Sequence, residues 1–489
     1  MLNNILKAIP AIPEFVLTIS VLMSLLVGAF RKKSAAILNF FTIAGGLVFL
    51  SVLLILSTKS EQFFWHSLFV HSVYVGWAKI ILYITTVFAI FCFFSLSEEY
   101  NLKDYEWLII AAFIVVGGSS AISSNHFLTL FIGIELSNLG QYLLVAANKD
   151  NVYSSEAAVK FFTLGAISSA LMLFGISLIY GFTGTNAFNS LYYFFESNIY
   201  NFEHAGAIVG MFLVVMGLCF KFPVAPFHAW APDVYQASPT SVLVFLSTVP
   251  KIITTFVLLH LLTYPFHGIF TYLRYLFVVL AILSMVWGAF AALQQTNIKR
   301  MFAYSAIGNM GFLLMGPAMG SESGIESVTI YLIIYTINML GALALLSIFE
   351  KKIKPIENIA DLAGIMQSAP MLGGLFSLFI MSLAGLPPFP GFFVKAYILL
   401  GVINRSAYIL AIIAAVTTVI SSAYYLNVLR HLILYQAGTK VISAIHSRKY
   451  ALEIMTFLVF IVSIVICGIL PDLIFEPSRA MGASALFNR

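Results

Sequence analysis

The sequence predicts an all-α polytopic membrane protein of about fourteen transmembrane helices. Composition is the first reason. Of 489 residues, 61% are hydrophobic and only 9% are charged, whereas a soluble domain is about 45–50% apolar and about 25% charged. No water-soluble fold hides that much apolar surface. Spacing is the second reason, because apolar stretches of about 20 residues recur along the whole chain with short connections. The third is a pair of overlong spans, each interrupted by prolines at the same spacing.

Taken in order, the spans fall near 10–30, 35–57, 75–96, 106–122, 124–147, 155–182, 205–236, 239–263, 272–293, 298–318, 325–349, 368–403, 406–434 and 451–474. The first is read as a span rather than a signal peptide. Glu14 and prolines precede its apolar run, Arg31, Lys32 and Lys33 follow it, and no small-residue cleavage site is evident. Spans seven and twelve exceed what a straight helix needs to cross. Span seven carries Pro223 and Pro226 in FPVAPF, and span twelve carries Pro387 and Pro390 in LPPFPGFF. Proline removes a backbone donor and clashes with the preceding turn, so both helices should break there. Interrupted segments in corresponding places mark an internal repeat. The expected organisation is therefore 1–100 for spans one to three, 101–265 and 266–435 for two inverted five-helix repeats (spans four to eight and nine to thirteen), and 436–489 for a loop and span fourteen.

Charge sets the expected orientation. Arg31, Lys32, Lys33, Lys103, Lys149, Lys160, Lys299, Arg300, Lys351, Lys352, Lys354, Arg430, Lys440, Arg448 and Lys449 fall in loops on one side. Only Lys7, Lys59, Arg274, Arg405, Arg479 and Arg489 fall on the other. The positive-inside rule then puts both termini outside the cytoplasm and accounts for the net charge of +5 without a nucleic-acid partner. The three cysteines, Cys92, Cys219 and Cys467, lie far apart in apolar runs. They read as small buried hydrophobes, not as zinc or iron–sulfur ligands. No glycine-rich phosphate loop follows a strand, so no bound nucleotide is expected.

The remaining four basic residues, Lys79, Lys221, Lys251 and Lys395, lie inside predicted spans. Lys79 stands near a span end beside Tyr74 and Trp77, where a lysine snorkelling through an aromatic belt is the expected reading. The other three lie toward the bilayer middle, as does Glu135, the one acid deep in a span at roughly 16 Å. A charge at that depth costs at least roughly 2.5–3.5 kcal/mol. One carboxylate can neutralise one lysine, as a structural Glu135–Lys221 pair, but not three. A buried lysine readily exchanges its proton, so a line of them joined by water reads as a proton path. Glu135 near Lys221 holds that lysine charged, and separation of the two sends its proton toward Lys251 and Lys395. The helix breaks supply a hinge for that change. His228, just after the first break, is a possible further relay, as are Asn309 and Tyr424. Ser247, Thr248, Ser305, Asn309, Tyr331, Tyr335, Asn338 and Tyr424 read first as interhelical hydrogen-bonding groups. Glu156, Lys160 and Asp233 read as solvated residues at helix ends.

Long strings through residues 125–403 carry a resemblance: FIGIELSNLGQYLLVA, SSEAAVKFFTLGAISSALMLFGISLIYGFTGT, FKFPVAPFHAWAPDVYQASPTSVLVFLSTVPK, QTNIKRMFAYSAIGNMGF and LAGLPPFPGFFVKAYIL. They resemble the antiporter-like membrane subunits of proton-pumping NADH–quinone oxidoreductase, respiratory complex I. PDVYQASPT, Lys395 in place of a glutamate, and the stop after span fourteen point to the subunit N branch, called NADH dehydrogenase subunit 2 in mitochondria. The resemblance implies proton relay by Glu135, Lys221, Lys251 and Lys395. It implies neighbouring antiporter-like and small membrane subunits as partners, and NADH, FMN, iron–sulfur clusters and quinone handled in other subunits. Many relatives have histidine where this chain has Asn309 in AYSAIGNMG, and asparagine cannot exchange a proton as histidine does. A stand-alone cation/proton antiporter, a membrane subunit of an energy-converting hydrogenase and an inert scaffold are the rival readings. The length and the lack of an evident presequence favour a bacterial inner membrane over a mitochondrial one.

Overall fold

The computed structural model describes residues 12–30, 35–57, 62–96, 104–148, 151–198, 205–352, 356–435 and 476–481. Span fourteen, expected at 451–474, lies outside them. Helices dominate: α1 (Ile12–Phe30), α2 (Ala35–Ser57), α3 (Val73–Leu96), α4 (Asp104–Ile122), α5 (Phe127–Val145), α6 (Val152–Thr183), α7 (Phe188–Asn198), α8 (Ala205–Lys221), α9 (Ala231–Ala237), α10 (Thr240–Leu246), α11 (Val249–Thr263), α12 (Phe270–Leu293), α13 (Ile298–Met319), α14 (Glu322–Lys352), α15 (Ile365–Ser368), α16 (Pro370–Ala384), α17 (Pro390–Asn404) and α18 (Tyr408–Leu434). A small hairpin, β1 (Gln62–Phe64) paired antiparallel with β2 (Phe69–His71), joins α2 to α3. Neither the hairpin nor α7 was expected from hydropathy. Both lie in connections too short and polar to register as spans.

Seven helical segments among the described residues are long and apolar enough to cross a bilayer, and shorter apolar helices accompany them. Local chemistry fixes their ends. Asn151 caps α6 by accepting from the Tyr153 amide at 2.9 Å, and Asn297 caps α13 by accepting from the Arg300 amide at 3.0 Å. The expected breaks are present. Span seven divides into α8 and α9, and span twelve into α16 and α17. Span eight is also broken, between α10 and α11, because Pro250 at the second position of α11 cannot donate back into a continuous helix.

The chain packs as two compact units. Among the described residues, the first holds those within 1–222, 249–273 and 480–489, and the second those within 223–248 and 274–479. The segment after the first break, expected within the first repeat, thus packs with the second unit. There α9 lies on α13 and α10 on α14. Arg300 of α13 meets Asp233 of α9 at 2.9 Å, and Thr240 of α10 donates to Glu350 of α14 at 2.5 Å.

Small residues set the helix spacing in the first unit. A Cβ added at Gly175 of α6 would fall 2.5 Å from the Gly210 carbonyl of α8, and one at Gly117 of α4 would fall 2.6 Å from the Gly133 carbonyl of α5. Backbones this close require glycine. Toward the end of α8, where Lys221 stands, a Cβ added at Gly217 would fall 3.0 Å from the Ser168 carbonyl of α6.

Candidate functional site

In the first unit, α5, α6 and α8 bring Glu135, Ser169 and Lys221 together. Ser169 Oγ donates to Glu135 Oε1 at 2.5 Å, and Lys221 Nζ donates to Ser169 Oγ at 3.2 Å and to the Gly165 carbonyl at 3.4 Å. Asn138 Nδ2 donates to the same Glu135 oxygen at 3.0 Å. The expected acid–lysine association therefore runs through a serine hydroxyl, not through a direct ion pair. Serine in a helix is commonplace, so the sequence does not single out Ser169. The α6–α8 glycine packing is what places it between the two charges.

Beside this group lies a cavity of about 20 Å³, lined by Asn138, Gln141, Lys221, Thr254 and their apolar neighbours, including Pro250 and Ile253 of α11. That is room for about one water molecule, with polar partners to hold it. Lys251 is only 3% exposed and follows Pro250, in the first turn of α11.

The second unit contains a counterpart. Lys395 of α17 donates to the Leu383 carbonyl at 3.2 Å and the Ala384 carbonyl at 3.5 Å. These are carbonyls of the last turn of α16, which lack intrahelical partners. Its ammonium also lies 5.4 Å from the Phe312 ring centre. Gly391 holds this break shut. Its amide donates to Ser382 Oγ at 3.1 Å, and a Cβ there would fall 1.8 Å from the Ser382 carbonyl. A cavity of about 20 Å³ again adjoins the lysine, lined by Asn309, Tyr331, Tyr335, Asn338 and Ser382 among others.

Both breaks set a lysine at the C-terminal end of a half-helix, Lys221 on α8 itself and Lys395 reaching back to α16. The negative end of the helix dipole favours a cation there. Lys251 stands at the opposite end of its helix, where the dipole offers no such support.

A hydroxyl network extends from the second cavity. Tyr331 Oη donates to Asn309 Oδ1 at 2.8 Å, and Asn309 Nδ2 donates to the Ser305 carbonyl at 2.9 Å. Ser305 Oγ pairs with Tyr425 Oη, and Tyr424 joins through Ser305 and Tyr425. Tyr425 belongs to the cluster as fully as Tyr424, although the sequence reading named only Tyr424. His228 lies in the turn after the first break with its ring 5.5 Å from that of Trp287, and neither lysine cavity includes it. Glu156 and Lys160 form an exposed pair along α6 at 2.8 Å. Among the described residues, no group of three or more His, Cys, Asp or Glu side chains could hold a metal ion.

Lys79 requires a correction. It is fully buried, not snorkelling, and pairs with Glu14 Oε1. Glu135 is thus not the only acid inside the helical bundle. A signal for this pair exists in the sequence. Spans one and three run the same way, and Glu14 and Lys79 are equally deep in them.

Residues 124–421 match the transmembrane family described as NADH:quinone oxidoreductase/Mrp antiporter. The chain is 36% identical to NADH-quinone oxidoreductase subunit N of Paramagnetospirillum magneticum over 437 residues, 87% of this chain and 88% of the relative. It is 34% identical to the subunit of the same name from Rhodospirillum rubrum over 440 residues, 89% of each. Among solved structures, a chain of the Mrp complex from Dietzia sp. DQ12-45-1b superposes with a TM-score of 0.86 at 18% identity, covering 98% of each chain. A chain of respiratory complex I from Thermus thermophilus superposes with a TM-score of 0.78 at 24% identity, covering 96% of this chain and 99% of that one. At these identities the structural likeness is one of fold. By the extent of its match and by its relatives in sequence, this chain belongs to the NADH:quinone oxidoreductase/Mrp antiporter transmembrane family.

Proposed function

We propose that the chain is the N subunit of a bacterial proton-pumping NADH–quinone oxidoreductase, and so a non-redox part of an H⁺-transporting translocase. It lies in the inner membrane with both termini outside the cytoplasm. The observation that carries this reading is the 36% identity to a relative of that name over 87% of the chain. The half-buried Glu135–Ser169–Lys221 group and the buried Lys395 site give it a mechanism. NADH oxidation, quinone reduction and the cofactors for both belong to other subunits, and residues 101–265 and 266–435 form two inverted five-helix repeats.

In this mechanism Glu135, Lys221, Lys251 and Lys395 carry protons, and the helix breaks let their distances change. Ser169 is the shortest link, because its hydroxyl touches both Glu135 and Lys221. A small rotation of α8 against α6 moves Lys221 Nζ away from Ser169, removes its charge-assisted hydrogen bond and frees its proton. Asn309 has no exchangeable ring proton, so it serves by orienting Tyr331 and water beside Lys395. His228 and Tyr424 are accessory at most.

The Mrp likeness suggests the rival, a subunit of a cation/proton antiporter. It has the higher TM-score, but the curated relatives in sequence bear the subunit N name. Extraction from the native membrane in mild detergent separates the two. Co-purification with flavin and iron–sulfur subunits and NADH–quinone activity is expected. Isolation with antiporter subunits alone would refute the proposal.

A further inference from the structure

The Glu14–Lys79 pair has no part in the relay described above. Lys79 is fully buried, and the Glu14 side chain is only 12% exposed. Glu14 Oε1 accepts from Lys79, from Ser119 Oγ at 3.0 Å and from Ser123 Oγ at 3.2 Å, while Oε2 is buried without a hydrogen-bond partner. Ser119 continues the chain of hydroxyls to Tyr83 Oη at 2.9 Å, itself buried. A purely structural ion pair would use both carboxylate oxygens, since an unmatched buried acceptor costs stability. Here three donors crowd one oxygen, and the other is left open to a proton or a water.

The helix α4 ties this site to the relay. Three consecutive residues of α4 each meet a different helix. A Cβ on Gly117 would strike the Gly133 carbonyl of α5, the helix of Glu135. One on Gly118 would strike Ile253 of α11, two residues from Lys251. Ser119 bonds Glu14. The pair is thus one helix away from both charged groups.

We propose that Glu14 and Lys79 form a further proton-exchange site of this chain. It lies where α1 and α3 begin and α4 ends, remote from the positively charged loops and so on the release side. The inference rests on the proposed function for its direction. One proton binds Glu14 Oε2 and converts the carboxylate to the acid. One proton then leaves Lys79 Nζ, and transfer from Glu14 to Lys79 restores the ammonium–carboxylate pair. The net gain and loss is one proton each way, and no oxidant or reductant is involved.

The test uses the whole complex reconstituted in vesicles. Glu14→Asp retains a carboxylate, and it should shift or remove a carboxyl band in the NADH-induced infrared difference spectrum. A merely structural pair leaves that spectrum unchanged, so identical carboxyl bands in wild type and Glu14→Asp overturn the proposal. The double variant Glu14→Gln/Lys79→Met removes both charges together and leaves no buried ion alone. We expect it to lose NADH-driven acidification while still oxidising NADH with a water-soluble acceptor. Undiminished acidification also overturns the proposal. Lys221→Ala is measured alongside. If it loses pumping and the double variant does not, only this site is refuted. If neither loses pumping, the reading of the chain as a proton path fails as well. Should the double variant not assemble, the infrared comparison decides.

Discussion

Ser169→Ala removes one oxygen and leaves every charge in place, which makes it a sharp probe of the relay. The hydroxyl accepts from Lys221 Nζ at 3.2 Å and donates to Glu135 Oε1 at 2.5 Å. Both partners are ionisable, and a hydrogen bond to a charged group contributes about 1.5–3 kcal/mol. A water entering from the adjacent cavity recovers part of two such bonds. A net loss of about 2 kcal/mol is therefore a reasonable central value. If proton transfer across this link limits turnover, that loss slows coupled quinone reduction about 30-fold. The assay is NADH–quinone reductase activity together with vesicle acidification, normalised to assembled complex. Ser169→Thr keeps the hydroxyl and should retain most activity. Wild-type rates in an assembled Ser169→Ala variant would refute the bridging role of Ser169.

Three further outcomes are expected. Gly391→Ala forces a Cβ to within 1.8 Å of the Ser382 carbonyl, so it should reduce assembled protein and lower the thermal midpoint, as read by a melting scan of the purified complex. Tyr331→Phe leaves the Asn309 Oδ1 acceptor without its 2.8 Å donor in a buried site, which should cost about 1–3 kcal/mol in denaturant stability. Lys79→Gln should be damaging rather than mild, because it strips a buried carboxylate of its partner ion; breaking such a pair costs about 3–5 kcal/mol, and recovery of assembled complex would show it.

The helical architecture was legible because hydropathy and proline act locally. Pro223, Pro226, Pro387 and Pro390 announced the breaks of spans seven and twelve. The break before α11 went unread because Pro250 stands in an unbroken apolar run and resembles a helix-start proline as much as an interruption. Charge also shows locally, and Glu135, Lys221, Lys251 and Lys395 stood out for lying where water is absent. What joins them depends on helix rotation and close packing, which hydropathy does not encode. Ser169 is one of several serines in α6, and the close packing of Gly217 of α8 against Ser168 is what selects it. Tyr424 and Tyr425 are adjacent in sequence, and both enter the cluster at Ser305. Lys79 was misread because nearby aromatics are common at membrane surfaces, whereas its burial comes from Glu14, 65 residues away.

The central claim is that buried lysines in this chain carry protons driven by redox chemistry elsewhere. NADH-driven acidification of vesicles holding equal amounts of assembled wild-type and Lys221→Ala complex tests it most directly. The account predicts that the variant loses acidification and quinone reduction together while NADH oxidation by a water-soluble acceptor persists. Acidification at the wild-type rate in a fully assembled Lys221→Ala complex would contradict it.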